Sequence, residues 1–179
     1  LLFYYKYGNF TMLNLNAILS VFHHEPIEWI KILLPIGISF FSFQSVTYTL
    51  DTYRGINEPM KRLSDYMLYI TMFPQLIAGP IVRYSDIERE LRERKHTLEK
   101  TYEGIIRFTV GLGKKILIAN ALGELCETFK ASDEKTILFY WLYAVAFSLH
   151  IYFDFSGYSC MAIGLGKIFG FTFMENFDY

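Results

Sequence analysis

From Thr136 to Phe153 the chain runs for 18 residues without an Asp, Glu, Lys or Arg. At ~1.5 Å of rise per residue, a helix of that length covers most of a ~30 Å hydrocarbon core. The run therefore reads as a membrane span, and everything else must be arranged around it. Polarity then arrives at once, with His150, Asp154, Ser156, Tyr158 and Ser159 inside ten residues. Titratable groups at membrane depth are costly, so they are site candidates by default.

Two further uncharged runs precede it, Ile32–Leu50 with 19 residues and Tyr66–Val82 with 17. The chain is 53% apolar and 18% aromatic, and these runs hold the excess over an ordinary globular composition. Ile32–Leu50 is expected to span, with Pro35 and Gly37 tolerated near its start. Its hydroxyl and amide groups, Gln44 among them, either line a polar path or hold neighbouring helices together. Tyr66–Val82 is broken up by Pro74, Gly79 and Pro80. The loops on either side of it carry Arg54, Lys61 and Arg62, and then Arg83, Arg89, Arg92, Arg94, Lys95 and Lys100. Because basic loops stay on the cytoplasmic side, both ends of this segment belong on one face, and it is expected to be re-entrant or broken. The sparsely basic Val21–Lys31 and Gly123–Lys135 fall outside. Ile32–Leu50 then enters, Gly104–Leu122 exits and Thr136–Phe153 enters again.

The other segments carry weaker signals. Leu1–Leu19, interrupted by Lys6, Asn9, Asn14 and Asn16, reads as the tail of a membrane helix followed by an interfacial stretch, and Asp86–Lys100 as a charged surface helix. On a 100° wheel Arg107 and Lys114 superimpose, with Lys115, Gly104 and Gly111 beside them, which makes a cationic, small-residue stripe on an otherwise apolar helix. That stripe either meets an anionic group or snorkels to the interface. Beyond Asp154, Gly157, Gly164, Gly166 and Gly170 mark a stretch packed closely on a neighbouring helix. Cys126 and Cys160 lack metal-ligand spacing and read as small buried residues. His23, His24, Glu25 and Glu28 surround Pro26 with poor ligand spacing, so no metal site is expected. The formal net charge of −1 gives no sign of a nucleic-acid partner. A Gly-x-Ser-x-Gly elbow, a Gly-rich phosphate loop and a His-Glu-x-x-His motif are all missing from the sequence.

Five ordered blocks carry a resemblance. They are Leu34-Pro-Ile-Gly-Ile-Ser-Phe-Phe-Ser-Phe-Gln44, Phe73-Pro-Gln-Leu-Ile-Ala-Gly-Pro-Ile-Val-Arg-Tyr84, Tyr152-Phe-Asp-Phe-Ser-Gly-Tyr-Ser159, Met161-Ala-Ile-Gly-Leu-Gly166 and Glu175-Asn-Phe177. Together they resemble the membrane-bound O-acyltransferase (MBOAT) family, in its bacterial alginate O-acetyltransferase branch.

The resemblance implies an all-α, multi-pass membrane protein with broken or re-entrant segments, of which residues 1–179 form a single fragment. It implies acyl transfer, through a tunnel, from a cytoplasmic donor of unknown kind to hydroxyls of an exported polysaccharide such as alginate, with no bound cofactor. Membrane lipid and extracytoplasmic acetylation proteins are the implied partners, and the bacterial inner membrane the implied location. The family's catalytic histidine is expected beyond Tyr179. Within the chain His150, one turn before Asp154, is the low-ranked candidate base, at a position where the branch often has Gln; Cys160 stands where the branch usually has Asp. Acyl transfer to an alcohol needs a base and a donor to the developing oxyanion. Gln44, Gln75, Asp154, Ser156, Tyr158 and Asn176 are accordingly the tunnel-lining candidates, each with a helix-packing hydrogen bond as the alternative, and Arg107, Lys114 and Lys115 form the cationic face. D-alanyl transfer to teichoic acid, a transporter and a secretion-complex scaffold are the rival readings.

Overall fold

The structure is a computed structural model that describes residues 2–76, 79–80, 82–133 and 136–177. Among these residues it is all-α, without strands.

The longest helix organises the rest. We label it α7, Ile137–Ile168, 32 residues, about 48 Å long at ~1.5 Å per residue. The Thr136 hydroxyl caps its start by accepting from the Phe139 N–H at 3.3 Å. At its far end Gly170 takes φ 82°, and the Gly170 and Phe171 N–H groups donate to Lys167 O (3.0 Å) and Gly166 O (2.8 Å), closing a Schellman motif. The expected span thus continues through Asp154 rather than ending at Phe153. Nothing in that stretch breaks a helix: the polar residues are tolerated because they face a partner. Among the described residues α7 is the one helix long and apolar enough to cross a membrane. Its first half presents Ile137, Leu138 and Trp141 outward, at 80, 69 and 68% exposure.

The partner runs antiparallel to it. Leu98–Gly113 (α5), a π-helical segment Lys114–Ala119 and Asn120–Ala131 (α6) follow one another without a break. The two strips meet through facing glycines. A Cβ on Gly104 would lie 2.6 Å from Gly164 O, and one on Gly111 would lie 2.6 Å from Gly157 O, so the backbones touch where no side chain fits. Glycines seven apart on each helix repeat this contact about every two turns. The same register continues outward as Lys167–Glu103 (2.8 Å) at one end and Phe129 edge-on to Phe139 (centroids 4.8 Å) at the other. The expected Gly104–Leu122 span is therefore the middle of a longer helical strip. Arg107, Lys114 and Lys115 place three charges within it.

Three other expectations are corrected. Ile32–Leu50 is not one helix: residues 24–35 are non-helical, and α2, Ile38–Tyr53, begins only after Gly37 at φ 77°. Pro35, which has no N–H to donate, precedes this left-handed turn, and the helix that follows has 16 residues. Leu2–Val21 (α1) is a single helix. Its asparagines do not interrupt it; they clip the non-helical segment to its side. Asn9 donates to Ile32 O (2.7 Å) and accepts from the Ile32 and Trp29 N–H groups, while two turns on Asn16 does the same for Ile27 O and N. The charged stretch Asp86–Lys100 is split between α4, Tyr84–Arg92, and the start of α5, because the Thr97 hydroxyl caps a new helix by accepting from the Lys100 N–H (3.1 Å).

Tyr66–Val82 is broken, as its prolines require. Leu63–Thr71 (α3) stops at Met72, a 3-10 turn covers Phe73–Gln75, and the described residues between it and α4 (76, 79–80 and 82–83) are non-helical. Around this break lies the core: Tyr69, Ile70, Met72, Val82, Tyr84 and Ile87, closed by Ile163 of α7 and by Phe171 and Phe173 after it. Tyr48 of α2 stacks into the same cluster, 5.3 Å from the rings of both Tyr66 and Tyr84.

Candidate functional site

An irregular backbone away from water must have its carbonyls satisfied by other protein groups. Here side chains do it one by one. The Tyr69 hydroxyl donates to Val82 O (3.1 Å), Tyr158 of α7 donates to Leu76 O (3.1 Å), Asn176 donates to Gly79 O (3.4 Å), and the Gln75 amide donates to Tyr69 O. Three expected tunnel residues, Gln75, Tyr158 and Asn176, are thus hydrogen-bonded to the backbone of the broken segment. Gln75 is also one wall of a cavity of about 290 Å³ shared with Gln44, between Phe40, Phe43, Pro80 and Val82, with Arg83 at its edge. Both glutamines are over nine-tenths buried, and their Oε1 atoms have no donor among the described residues. Of the expected tunnel set, these two are brought together.

The remaining members go elsewhere. Asp154 forms an ion pair with Lys115 of the π segment. His150 lies against Gly123, and its Nδ1 is 2.8 Å from Ala119 O. A carbonyl only accepts, so that nitrogen carries the proton. The low-ranked one-turn pairing of His150 with Asp154 is therefore not assembled: each side chain is committed to the facing strip instead. Ser156 is fully buried with no hydrogen-bond partner among the described residues.

Arg107 and Lys114 of the cationic face open onto a cleft of about 560 Å³ between α5, the second half of α7 and the chain after it. Arg107 reaches across to Glu175 in an ion pair. Lys114 Nζ lies 3.7 Å from Cys160 Sγ. Lys167 and Glu103 close one end, and Ser159, Ile106, Val110 and Phe177 complete the wall. Lys115, expected with Arg107 and Lys114, turns away to Asp154, because the wider π turn changes the angular step between successive residues. Cys126 is buried as expected, but Cys160 is half-buried and lines the cleft. Ser159, Cys160, Glu175 and Phe177 were not singled out as a group from the sequence. The glycine register, once drawn, places the first two opposite the Arg107–Lys114 stripe.

On the other side of α3, Lys61, Arg62, Asp65, Tyr84 and Arg92 border one cleft. Burial, followed by the Glu88 carboxylate, pushes the Tyr84 phenol above its ordinary value. Asp65 and Tyr84, which flank the broken segment, both border this cleft.

Residues 3–179 match the sequence profile of the membrane-bound O-acyltransferase family. The chain belongs to that family. As an MBOAT chain it is 46% identical, over 98% of its length, to an Azotobacter vinelandii protein named "Probable alginate O-acetylase AlgI", of which it spans 35%. It is 31% identical over 99% of its length to the peptidoglycan O-acetyltransferase of Helicobacter pylori, spanning 38% of that protein. To the teichoic acid D-alanyltransferase of Bacillus subtilis it is 29% identical over 87% of its length, spanning 40% of that protein. This MBOAT chain thus covers little more than a third of the length of the relatives it matches.

Proposed function

We propose that the full-length protein is an integral membrane O-acyltransferase that acetylates hydroxyls of an exported polysaccharide. The observation that carries this is the 46% identity to an alginate O-acetylase across 98% of the chain. The lower identity to the D-alanyltransferase, 29%, makes acetyl transfer the preferred reaction. In this reading the described helices form part of the wall of a passage. The cleft holding Arg107 and Lys114 and the cavity holding Gln44 and Gln75 are the places for the polar parts of donor and acceptor. Phe177 lines the first of these, so chain continuing past the Glu-Asn-Phe block starts at that cleft. The acceptor is a polymer delivered with extracytoplasmic partner proteins, and the acyl donor approaches from the cytoplasm.

Production of the full-length protein in alginate-forming cells that lack their own acetylase tests the activity. Ester-linked acetyl groups should appear on the polymer by proton NMR, and an unmodified polymer beside normal amounts of membrane-inserted protein would overturn the reading.

The protein in this reading is multi-pass in the bacterial inner membrane, and Tyr66–Val82 dips in and returns. The shared cleft of Asp65 and Tyr84 supports that. Single cysteines at Asp65 and Arg83, in a background without Cys126 and Cys160, should both react with a membrane-impermeant maleimide only after the cytoplasmic face is opened. Opposite accessibility would mean that the segment crosses.

A further inference from the structure

After the turn at Gly170 the chain doubles back along α7 as a non-helical segment, residues 171–177, that side chains fasten down. Its near end is buried. Phe171 and Phe173 stack on each other in the core, the Phe173 ring lies 2.5 Å from where a Cβ of Gly166 would be, and the Thr172 N–H donates to Glu90 of α4 at 2.7 Å. Its far end is held differently. Glu175 pairs with Arg107 of α5, Asn176 donates to Gly79 O of the broken segment at 3.4 Å, and Phe177 meets the Tyr152 and Phe155 rings of α7 edge-on at 5.7 and 5.5 Å. From Phe173 to Phe177 an extended chain reaches at most ~14 Å, while Gly166 and Phe155, which those two rings touch, lie ~16 Å apart along the helix. The segment is therefore drawn out nearly straight, and its far end has little slack.

We propose that this segment is a strap that fixes where the following chain enters the cleft, and that Arg107 is the positioning residue that holds it through Glu175. Among the described residues the ion pair is the one far-end contact between full charges, and the Asn176 bond beside it is long. Opposite charges attract most where water is scarce, and removing one of them there strands the other. Arg107 thus serves the cleft by fixing its wall, with its charge taken by Glu175 and not by a substrate. Released at Glu175, the far end swings away from α5 while Phe171 and Phe173 stay anchored in the core, and whatever the following chain presents to the cleft moves with it. The inference rests on the transferase reading for what that chain presents, the proton-moving histidine; the strap itself does not depend on it.

The test compares the full-length protein with Arg107→Glu, Glu175→Arg and the two combined, which reverses the pair without removing it. In detergent micelles, chymotrypsin should cut after Phe173 or Phe177 at least about tenfold faster in either single variant, because cutting follows the fraction of time the strap is off. The combined variant should return to within about threefold of the parent. In alginate-forming cells, at matched amounts in the membrane, each single variant should lose at least about tenfold of polymer acetylation, and the combined one should regain most of it. Unchanged cutting in the single variants overturns the inference. So does a combined variant that is cut slowly yet fails to acetylate while the parent does, since Arg107 itself would then be needed in the cleft. Where reversal opens the whole chain to cutting, Arg107→Gln and Glu175→Gln take its place. Those two combined should be cut no faster than either alone, and additive effects overturn the inference. If the parent transfers no acetyl group and the cutting pattern still holds, the strap stands and the transferase reading falls.

Discussion

Gly111→Ala in the full-length protein should lower stability, whereas Gly113→Ala, two residues away, should raise it. Both changes gain the ~1 kcal/mol by which alanine exceeds glycine in a helix. Only the first places a methyl group where the facing backbone already sits, 2.6 Å from Gly157 O and 2.7 Å from Met161 N; at Gly113 nothing lies within 4 Å. Because the propensity gain is common to both, the difference between the variants isolates the cost of overpacking, roughly 1–3 kcal/mol. Thermal unfolding in detergent micelles measures it. Equal midpoints for the two variants would mean that α5 and α7 do not meet through this face. Gly164→Ala should behave like Gly111→Ala, since a methyl group there falls 2.7 Å from Gly104 O.

The second large effect belongs to Lys115 and Asp154, whose side chains are 38 and 41% exposed. In water, a pair that open is worth at most about 1 kcal/mol. At membrane depth, removing one partner leaves a charge facing lipid, at roughly 2.5–3.5 kcal/mol. Asp154→Ala is therefore expected to destabilise the protein strongly, and the addition of Lys115→Met should restore most of the loss. A double-mutant cycle on thermal unfolding reads the coupling, expected near the upper end of roughly 0.5–3 kcal/mol. Additive effects would place the pair in water, and with it this part of α7.

How much of this was legible beforehand differed from element to element. The Thr136–Phe153 helix and the break after Thr71 could be read directly, because an uncharged run and a Pro-Gly-Pro pattern act locally. The Arg107–Lys114 stripe and the glycines of α7 were each visible as well. What the sequence did not state was that they face one another, since spacing within a helix carries no register between helices. The start of the Ile32–Leu50 run was misread for a related reason: hydropathy counts Pro35 and Gly37 as neutral, while the backbone cannot carry a helix through them. Asn9 and Asn16 looked like interruptions and are clips, which only the position of residues 24–35 explains. At the candidate site, Gln44 and Gln75 stood among six tunnel-lining candidates, and no spacing in the sequence marked them as the two that share a cavity. His150 and Asp154 looked like a dyad because they lie one turn apart, but Ala119 and Lys115 on the opposing strip claim them first.

The central claim is that these helices wall an acyl-transfer passage whose proton-moving histidine lies in the chain following the Glu175-Asn176-Phe177 block. The most direct measurement is polymer acetylation by two variants of the full-length protein, at matched amounts in the membrane. Replacing the first histidine after that block with alanine should abolish acetyl ester formation. His150→Gln should keep most of it, because a glutamine amide can also donate to Ala119 O. An active downstream variant together with an inactive His150→Gln would contradict the account and return the base to α7.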